Sequence, residues 1–438
     1  MQNIVTKITG EIRISSEILD ELKKIKNIPS FKRLMESFLG KKTTELAEVL
    51  LGGATILDAS DLHVEPEEER VKLRLRIDGI LQDVMHFDLK TYEALLSRVK
   101  ILSALKLNIV ERPQDGRFSI LVPSQGKETA IEIRASTLPT EHGEAIVLRV
   151  LNPKDLISMA DLGLREDLLS LFREEIEKPN GMTIVTGPTG AGKTTTLYAF
   201  LKEIQKPEIK TITIEDPIEY HLEGISQTQV NPAKKYDFAN GLRAIVRQDP
   251  DVILVGEIRD LETAQIAIQA ALTGHLVLTT LHTNDAAGTI ARLQSLGEKP
   301  VNIAPAINLA IAQRLVRRAC KKCGQLVPPP ENLRKEMEQE IKKLPEGVKA
   351  PSLDKDTRIL KAKGCEDCNL TGYRGRVAIY EAFLVDDEME RFILTSPSIS
   401  DLKRKAIERG MATMYQDGII KVLQKITTIE EVERVTGE

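Results

Sequence analysis

The sequence predicts an α/β protein: a parallel sheet with crossover helices, preceded by a smaller α+β domain. Three observations predict it. From Asp161 to about Leu315, buried strands alternate with helices, the pattern of parallel strands joined by helical crossovers. One of those strands, Met182-Thr183-Ile184-Val185, runs into Gly187-Pro188-Thr189-Gly190-Ala191-Gly192-Lys193-Thr194, with a helical pattern directly after it. Earlier in the chain Val71, Leu73, Leu75 and Ile77 alternate with Lys72, Arg74 and Arg76, which marks a half-buried strand.

Residues 1–43 are short amphipathic pieces with breaks at Pro29 and Gly40, a leader too small to bury a core alone. An apolar helix over Leu46–Leu51 is ended by Gly52-Gly53. The alternating strand meets Asp78-Gly79 and resumes at Ile80-Leu81, a hairpin signal. A helix over Tyr92–Leu105 and strands at Phe118–Val122, Ala130–Ala135 and Ala145–Leu151 complete a domain at 44–152. Asn152-Pro153 begins the passage to a second domain, 153–438. Its strands are Thr183–Thr186, Thr211–Glu215, Val252–Val255 and Leu276–Thr280. The helix Thr195–Ile204 puts Leu197, Phe200, Leu201 and Ile204 on one face. After Pro328-Pro329-Pro330, a charged helix spans Glu331–Leu344. The remainder reads as helical, most clearly at Ile399–Gly410 and Tyr415–Thr427.

Composition narrows the classes. A chain of 438 residues is too long for one core. Formal charge is −4 and aromatics are 4% with no Trp, so neither a basic field nor stacking platforms favour stable nucleic-acid binding. No apolar run approaches the roughly 18–20 residues of a spanning helix, and Met1–Gly10 lacks a signal-peptide pattern. A cytoplasmic protein is expected. The four cysteines form two pairs, Cys320-x-x-Cys323 and Cys365-x-x-Cys368, in a subdomain at 316–385. In a reducing compartment such pairs read as a closed, structural Zn²⁺ site, with an insertion looped out between them.

The glycine-rich run fits the phosphate-loop pattern G-x-x-x-x-G-K-[ST]. Residues 187–195, ending in Thr195, would wrap nucleotide phosphates in backbone N–H groups. Lys193 would neutralise the β- and γ-phosphates, and the Thr194 hydroxyl would ligate Mg²⁺. Three strand ends supply further groups. Val252–Val255 leads to Gly256-Glu257 at the Walker B position, so Glu257 is a candidate to orient or deprotonate water, or else an acidic cap paired with Arg259. Thr211–Glu215 leads to Asp216-Pro217-Ile218-Glu219. Pro217 holds Asp216 extended, so Glu215 and Asp216 leave in opposite directions; Glu215 and Glu219 are candidates for base or Mg²⁺-water ligand. His275 and His282 flank the fourth strand and are candidates to sense a γ-phosphate.

With these motifs in order, the chain resembles the ATPases of type II secretion and type IV pilus assembly. The likeness also covers Ala59–Pro66, Arg76-Ile77-Asp78-Gly79, Pro113–Arg117 and Arg134–Pro139, and the segments 211–219, 249–260 and 273–283 stand as the family's Asp box, Walker B and His box. It implies a homo-hexamer of two-lobed subunits, with a PAS-like N-terminal domain moving over a RecA-like ATPase domain. It implies that Arg134 and Arg149 reach the phosphates as the lobes close, and that an inner-membrane platform protein is the partner, so that the chain is peripheral to that membrane. The tetracysteine unit is typical of the assembly and secretion branch. Many members carry a further domain ahead of the likeness, where this chain has residues 1–43. Two other classes stay open: a RecA-like nucleic-acid translocase, and a nucleotide-gated scaffold with negligible turnover.

Overall fold

The computed structural model describes residues 10–124, 127–152 and 157–437. Two compact units divide the chain: Met1–Asp155 with Cys320–Cys323 and Lys363–Arg374, and Leu156–Ala319 with Gly324–Ala362 and Gly375–Glu438. Residues 1–9 of the segment read for a signal peptide, and Pro153 at the domain passage, lie outside the described residues.

In the first unit, β1 (Glu11–Arg13) precedes helices α1 (Ser16–Leu22), α2 (Ile28–Phe38) and α3 (Thr43–Ile56). Then come β2 (Ala59–Pro66), β3 (Val71–Ile77), β4 (Ile80–Phe87), α4 (Leu89–Leu102), β5 (Gln114–Ser124), β6 (Lys127–Thr140) and β7 (Gly143–Leu151). The sheet order is β1-β5-β6-β7-β2-β3-β4, antiparallel throughout except where β1 runs parallel to β5. Alternation sends Leu73, Leu75, Ile133 and Leu148 into the core and leaves Arg74, Arg76, Arg134 and Arg149 on the opposite, polar face. Asp78 and Gly79 both take positive φ, 51° and 83°, and turn β3 into β4 as the sequence predicts.

Two expectations change here. Residues 10–43 are not set apart, because Ile12, Ile18, Leu22, Phe31 and Met35 are buried in the same core as Leu46, Leu50 and Leu95. Each piece presents an apolar face, as with Ile28, Phe31, Met35 and Phe38 of α2, that finds its partners only in the folded unit. Gly52-Gly53 do not end a helix either; α3 passes through them to Ile56. A Cβ on Gly52 would stand 2.4 Å from a Leu22 methyl, and one on Gly53 2.2 Å from the Phe31 ring. The pair is therefore the surface on which α1 and α2 seat.

The second unit opens with α5 (Glu166–Ile176), β8 (Gly181–Thr186), α6 (Lys193–Ile204), β9 (Thr211–Glu215), β10 (Ser226–Gln229) and α7 (Phe238–Val246). It continues with β11 (Val252–Val255), α8 (Leu261–Leu272), β12 (Leu276–Leu281), α9 (Gly288–Ser295), α10 (Pro300–Ile303) and β13 (Ile307–Ala319). Next are β14 (Gln325–Val327), α11 (Glu331–Lys342), β15 (Ile359–Lys361) and β16 (Tyr373–Leu384), before helices α12 (Asp387–Leu394), α13 (Ile399–Glu408), α14 (Met414–Leu423) and α15 (Ile429–Thr436). The main sheet has the order β10-β9-β11-β12-β8-β13-β16, and β8 through β13 pair in parallel across it. The fold class is α/β, as the sequence predicts.

The remainder after Leu344 is not all helix. The whole of β16 is strand, as is the end of β13 before it, and β14, α11 and β15 form the insertion between the cysteine pairs. Much of β13 and β16 is buried on both faces, which erases the period-2 signal. Among the described residues no helix is long and apolar enough to cross a membrane.

Replacing Gly53 by Val should force the buried Phe31 ring out of place. Overpacking of this kind costs about 1–3 kcal/mol. A thermal melt should show the loss as a lower midpoint, and an unchanged midpoint would mean that α2 does not seat on this glycine.

Candidate functional site

β8 is buried along its whole length and delivers the chain to the loop at a fixed point. Gly187, Gly190 and Gly192 take φ of 152°, 80° and 87°. A Cβ on Gly187 would stand 2.6 Å from the Gln313 carbonyl oxygen, so only glycine fits there. Pro188, Thr189 and Gly190 are exposed, and Ala191 is buried beneath them. The first N–H groups of α6 have no helical partner and form a positive end to the loop. Thr194 is exposed on that first turn and Thr195 is half-buried. The Lys193 ammonium donates to Gly187 O at 2.8 Å and to Pro188 O at 3.3 Å. Burial lowers its pKa, Glu257 works the other way, and the charge of Arg314 lowers it further.

Parallel pairing brings the other strand ends to the same edge. Val255 is level with Thr279 of β12, and Leu281 with Thr186 of β8. Glu257 leaves β11 there and is only 15% exposed. His282 Nε2 lies 3.0 Å from one of its oxygens, and Arg259 pairs with the other while approaching Asp216 at 3.6 Å. Glu257 pairs with Arg259 and stands close enough to Lys193 to act on its charge. The Thr186 hydroxyl bonds the Thr283 hydroxyl at 2.8 Å and accepts from Thr283 N at 2.8 Å, which ties the base of the loop to the turn after β12.

Glu215 and Asp216 do diverge, the first buried and the second exposed. Glu215 accepts from the Tyr198 hydroxyl, from Thr213 at 2.5 Å and from Gln227 at 3.2 Å. Burial raises its pKa in spite of these donors, and the charge of half-buried Glu219 adds to the rise. His275 is not brought to the loop. It precedes β12, whose first residue Leu276 is level with Gly181, so it sits at the far end of a strand that rises about 3.3 Å per residue. Its Nδ1 is 3.0 Å from Ala270 O, a local bond at the end of α8. Both histidines flank the same buried strand, and strand direction separates them.

In the first unit, Arg134 of β6 and Arg149 of β7 are register partners. Arg149 donates to Asp61 at 2.9 Å and remains 53% exposed, while Arg134 lies 3.8 Å from Glu132. Asp61 is also 3.5 Å from Arg76, so the polar face carries a band of guanidiniums around one buried carboxylate.

The sulfur atoms of Cys320, Cys323, Cys365 and Cys368 all lie within 4.8 Å of one another. Contacts of 3.9, 3.8 and 3.7 Å are close to the S···S edge of about 3.8 Å that follows from a tetrahedron with Zn–S near 2.3 Å. Cys365 N and Gly372 N each donate to Cys368 Sγ at 3.2 Å, bonds that stabilise a thiolate. The four thiols therefore fit a closed metal site.

Two residues of β13 escaped the sequence reading. Gln313, 1% exposed, donates to Ala191 O at 2.7 Å and accepts from Thr196 at 2.8 Å, so it clamps the loop from inside. Arg314 follows it, beside Gly187. A polar pair inside an apolar run after Ala312 was the available signal. Gln313→Leu should leave Ala191 O and the Thr196 hydroxyl without partners, at about 1–3 kcal/mol for each buried group. Weaker nucleotide binding with a lower melting midpoint is the expected result; unchanged binding would remove Gln313 from the site.

Residues 41–434 match the family described as Type II/IV secretion system protein. The chain is 43% identical over 436 residues to the type IV pilus assembly ATPase PilB of Thermus thermophilus, covering 98% of this chain and 47% of that protein. It is 43% identical over 414 residues to the type II secretion system ATPase E of Vibrio cholerae, covering 94% of this chain and 78% of that protein. It thus spans about half the length of the first relative and over three-quarters of the second. The solved pilus retraction motor PilT with bound ADP is similar at TM-score 0.57 and 26% identity, over 88% of this chain and 95% of that one. The Legionella pneumophila ATPase DotB shares the fold at TM-score 0.62 and 23% identity, over 89% and 94%. On the family match and these identities, the chain belongs to the Type II/IV secretion system family, that of the type II secretion and pilus assembly ATPases.

Proposed function

We propose that this chain hydrolyses ATP with Mg²⁺ and uses the energy to assemble pilin or pseudopilin subunits, in type IV pilus extension or type II secretion. One observation carries the reading: Glu257, held by His282 and Arg259, stands at the strand edge from which Lys193 and the glycine loop open.

The loop of residues 187–195 holds the phosphates through its backbone N–H groups, which Pro188 alone lacks, and Lys193 leaves its carbonyl partners for phosphate oxygen. The Thr194 hydroxyl would hold Mg²⁺, which would supply charge neutralisation at the phosphates. Glu257 orients the attacking water and takes its proton, because it is fixed by two donors yet not sealed off. Glu215 is sealed among Tyr198, Thr213 and Gln227, so it acts by positioning, with Glu219 beside it as a water-holding acid. His282 reports the terminal phosphate through Glu257. No role is proposed for His275. Arg134 and Arg149 supply positive charge to the phosphates in a closed homo-hexamer. The tetracysteine site holds one structural Zn²⁺ per chain. The chain works in the cytoplasm against an inner-membrane platform protein.

Steady-state ATP hydrolysis across a range of protein concentrations tests this. Specific activity should rise as rings form. Lys193→Ala should abolish turnover, and Glu257→Gln should lower it by about 10²–10⁴-fold while nucleotide still binds. Glu215→Gln should cost less. Normal turnover in Lys193→Ala would sink the assignment.

Protein purified under reducing conditions without chelator should carry one zinc per chain by metal analysis. Cys320→Ser should lose it and melt earlier. Occupancy well below half would count against the site.

A further inference from the structure

We infer that Arg314 is a phosphate-positioning residue of the same site, paired with Lys193 across Gly187. The inference rests on the ATP reading above.

Its position follows from register. Ala312 of β13 is level with Thr186, the last residue of β8, so β13 runs on beside the loop. Neighbouring side chains of a strand point to opposite faces. Gln313 turns to Ala191 and Thr196, and Arg314 turns the other way, toward the segment after β12. One guanidinium nitrogen lies 3.3 Å from the place where a Cβ on Gly187 would stand.

Its partners are unusual for a half-buried cation. Nη2 donates to Asn284 O at 2.8 Å and Nη1 to Gln313 O at 3.2 Å. Among the described residues no carboxylate is within ion-pair distance of it. Glu381 and Asp285 act on it only from farther off, and both are engaged elsewhere. Glu381 accepts from Ala286 N at 2.9 Å and Met414 N at 3.2 Å, and Asp285 from Gly288 N at 2.8 Å. Burial lowers the guanidinium's pKa, and the two carboxylates only partly oppose that. Lys193 is in the same condition, resting on Gly187 O and Pro188 O.

Two like charges thus flank one glycine, each solvated by main-chain oxygens and repelling the other. Unpaired charge is costly even when only half-buried, and a polyanion in the loop would relieve both groups at once. A guanidinium has five N–H donors in a fixed fork, so it can face a phosphate oxygen without leaving Asn284. Arg314 would then link the phosphates to the turn that follows His282.

Binding of ADP and of a non-hydrolysable ATP analogue to wild type, Arg314→Gln, Arg314→Lys and Lys193→Ala, with melting midpoints alongside, tests this. Arg314→Gln should weaken both nucleotides by about tenfold at an unchanged midpoint, the scale of one charged hydrogen bond. Arg314→Lys keeps the charge but not the fork that reaches phosphate and Asn284 O together, so it should lose affinity, though less than the neutral variant. Arg314→Met, long but neutral, replaces the Gln variant if that one does not fold. Wild-type affinity in the neutral variant would overturn the proposal. So would equal losses in the Lys and neutral variants, which would mean packing. Absence of Lys193-dependent binding in the wild type would instead overturn the ATP reading, and Arg314 with it.

Discussion

The site depends on the parallel register of β8 with its two neighbours. Thr186 is level with Leu281 on one side and Ala312 on the other. Residues just beyond that level on the three chain segments must therefore meet, whatever their separation along the chain. The glycine loop, His282 with Thr283, and Gln313 with Arg314 are brought together in this way. The opposite ends of the same strands are excluded by the same geometry, which is why His275 ends beside Gly181. Side-chain polarity then sorts the residues by face. Gln313 is buried and neutral, and can pair fully with Ala191 and Thr196. Charged residues stand where the sheet opens.

Charge in the second unit is managed through distance and not only through pairing. Glu257 has its own cation in Arg259, so it does not neutralise Lys193 outright. Glu381 is 2% exposed and spends its oxygens on backbone N–H groups, so it does not neutralise Arg314. Deeper in the unit the rule is reversed. Asp417 is wholly buried between Arg165 and Lys421, and Glu431 between Arg317 and Arg434. These ion pairs lie deep in the unit, whereas the two cations beside the loop, Lys193 and Arg314, rest on main-chain oxygens.

Much of this was legible in the sequence. The glycine loop, Walker B strand, hairpin at Asp78-Gly79 and cysteine pairs each rest on residues close in sequence, where spacing dictates geometry. What was missed depends on partners distant in sequence. Gly52-Gly53 read as a break because α1 and α2, which need the absent side chains, cannot be placed from the sequence. β13 and β16 are buried on both faces and lose the alternation that identifies a strand. Arg314 carries no motif, and its meaning comes from Gly187, the loop residue beside it just past the end of β8. His275 and His282 are equivalent in a one-dimensional pattern and lie at opposite ends of a strand.

The clamp by Gln313 has one more consequence. Ala191 is pinned, the loop glycines are committed to their turns, and Lys193 already lies against the loop carbonyls. An arriving nucleotide would find the cradle folded, so little chain entropy is lost on binding. The cost shifts to exchange of solvation, in which carbonyl oxygens give up a cation and phosphate oxygens take it. Departure of a product would reverse that trade, so the residence time of a nucleotide in this loop would depend on how well the protein resolvates its own positive charge.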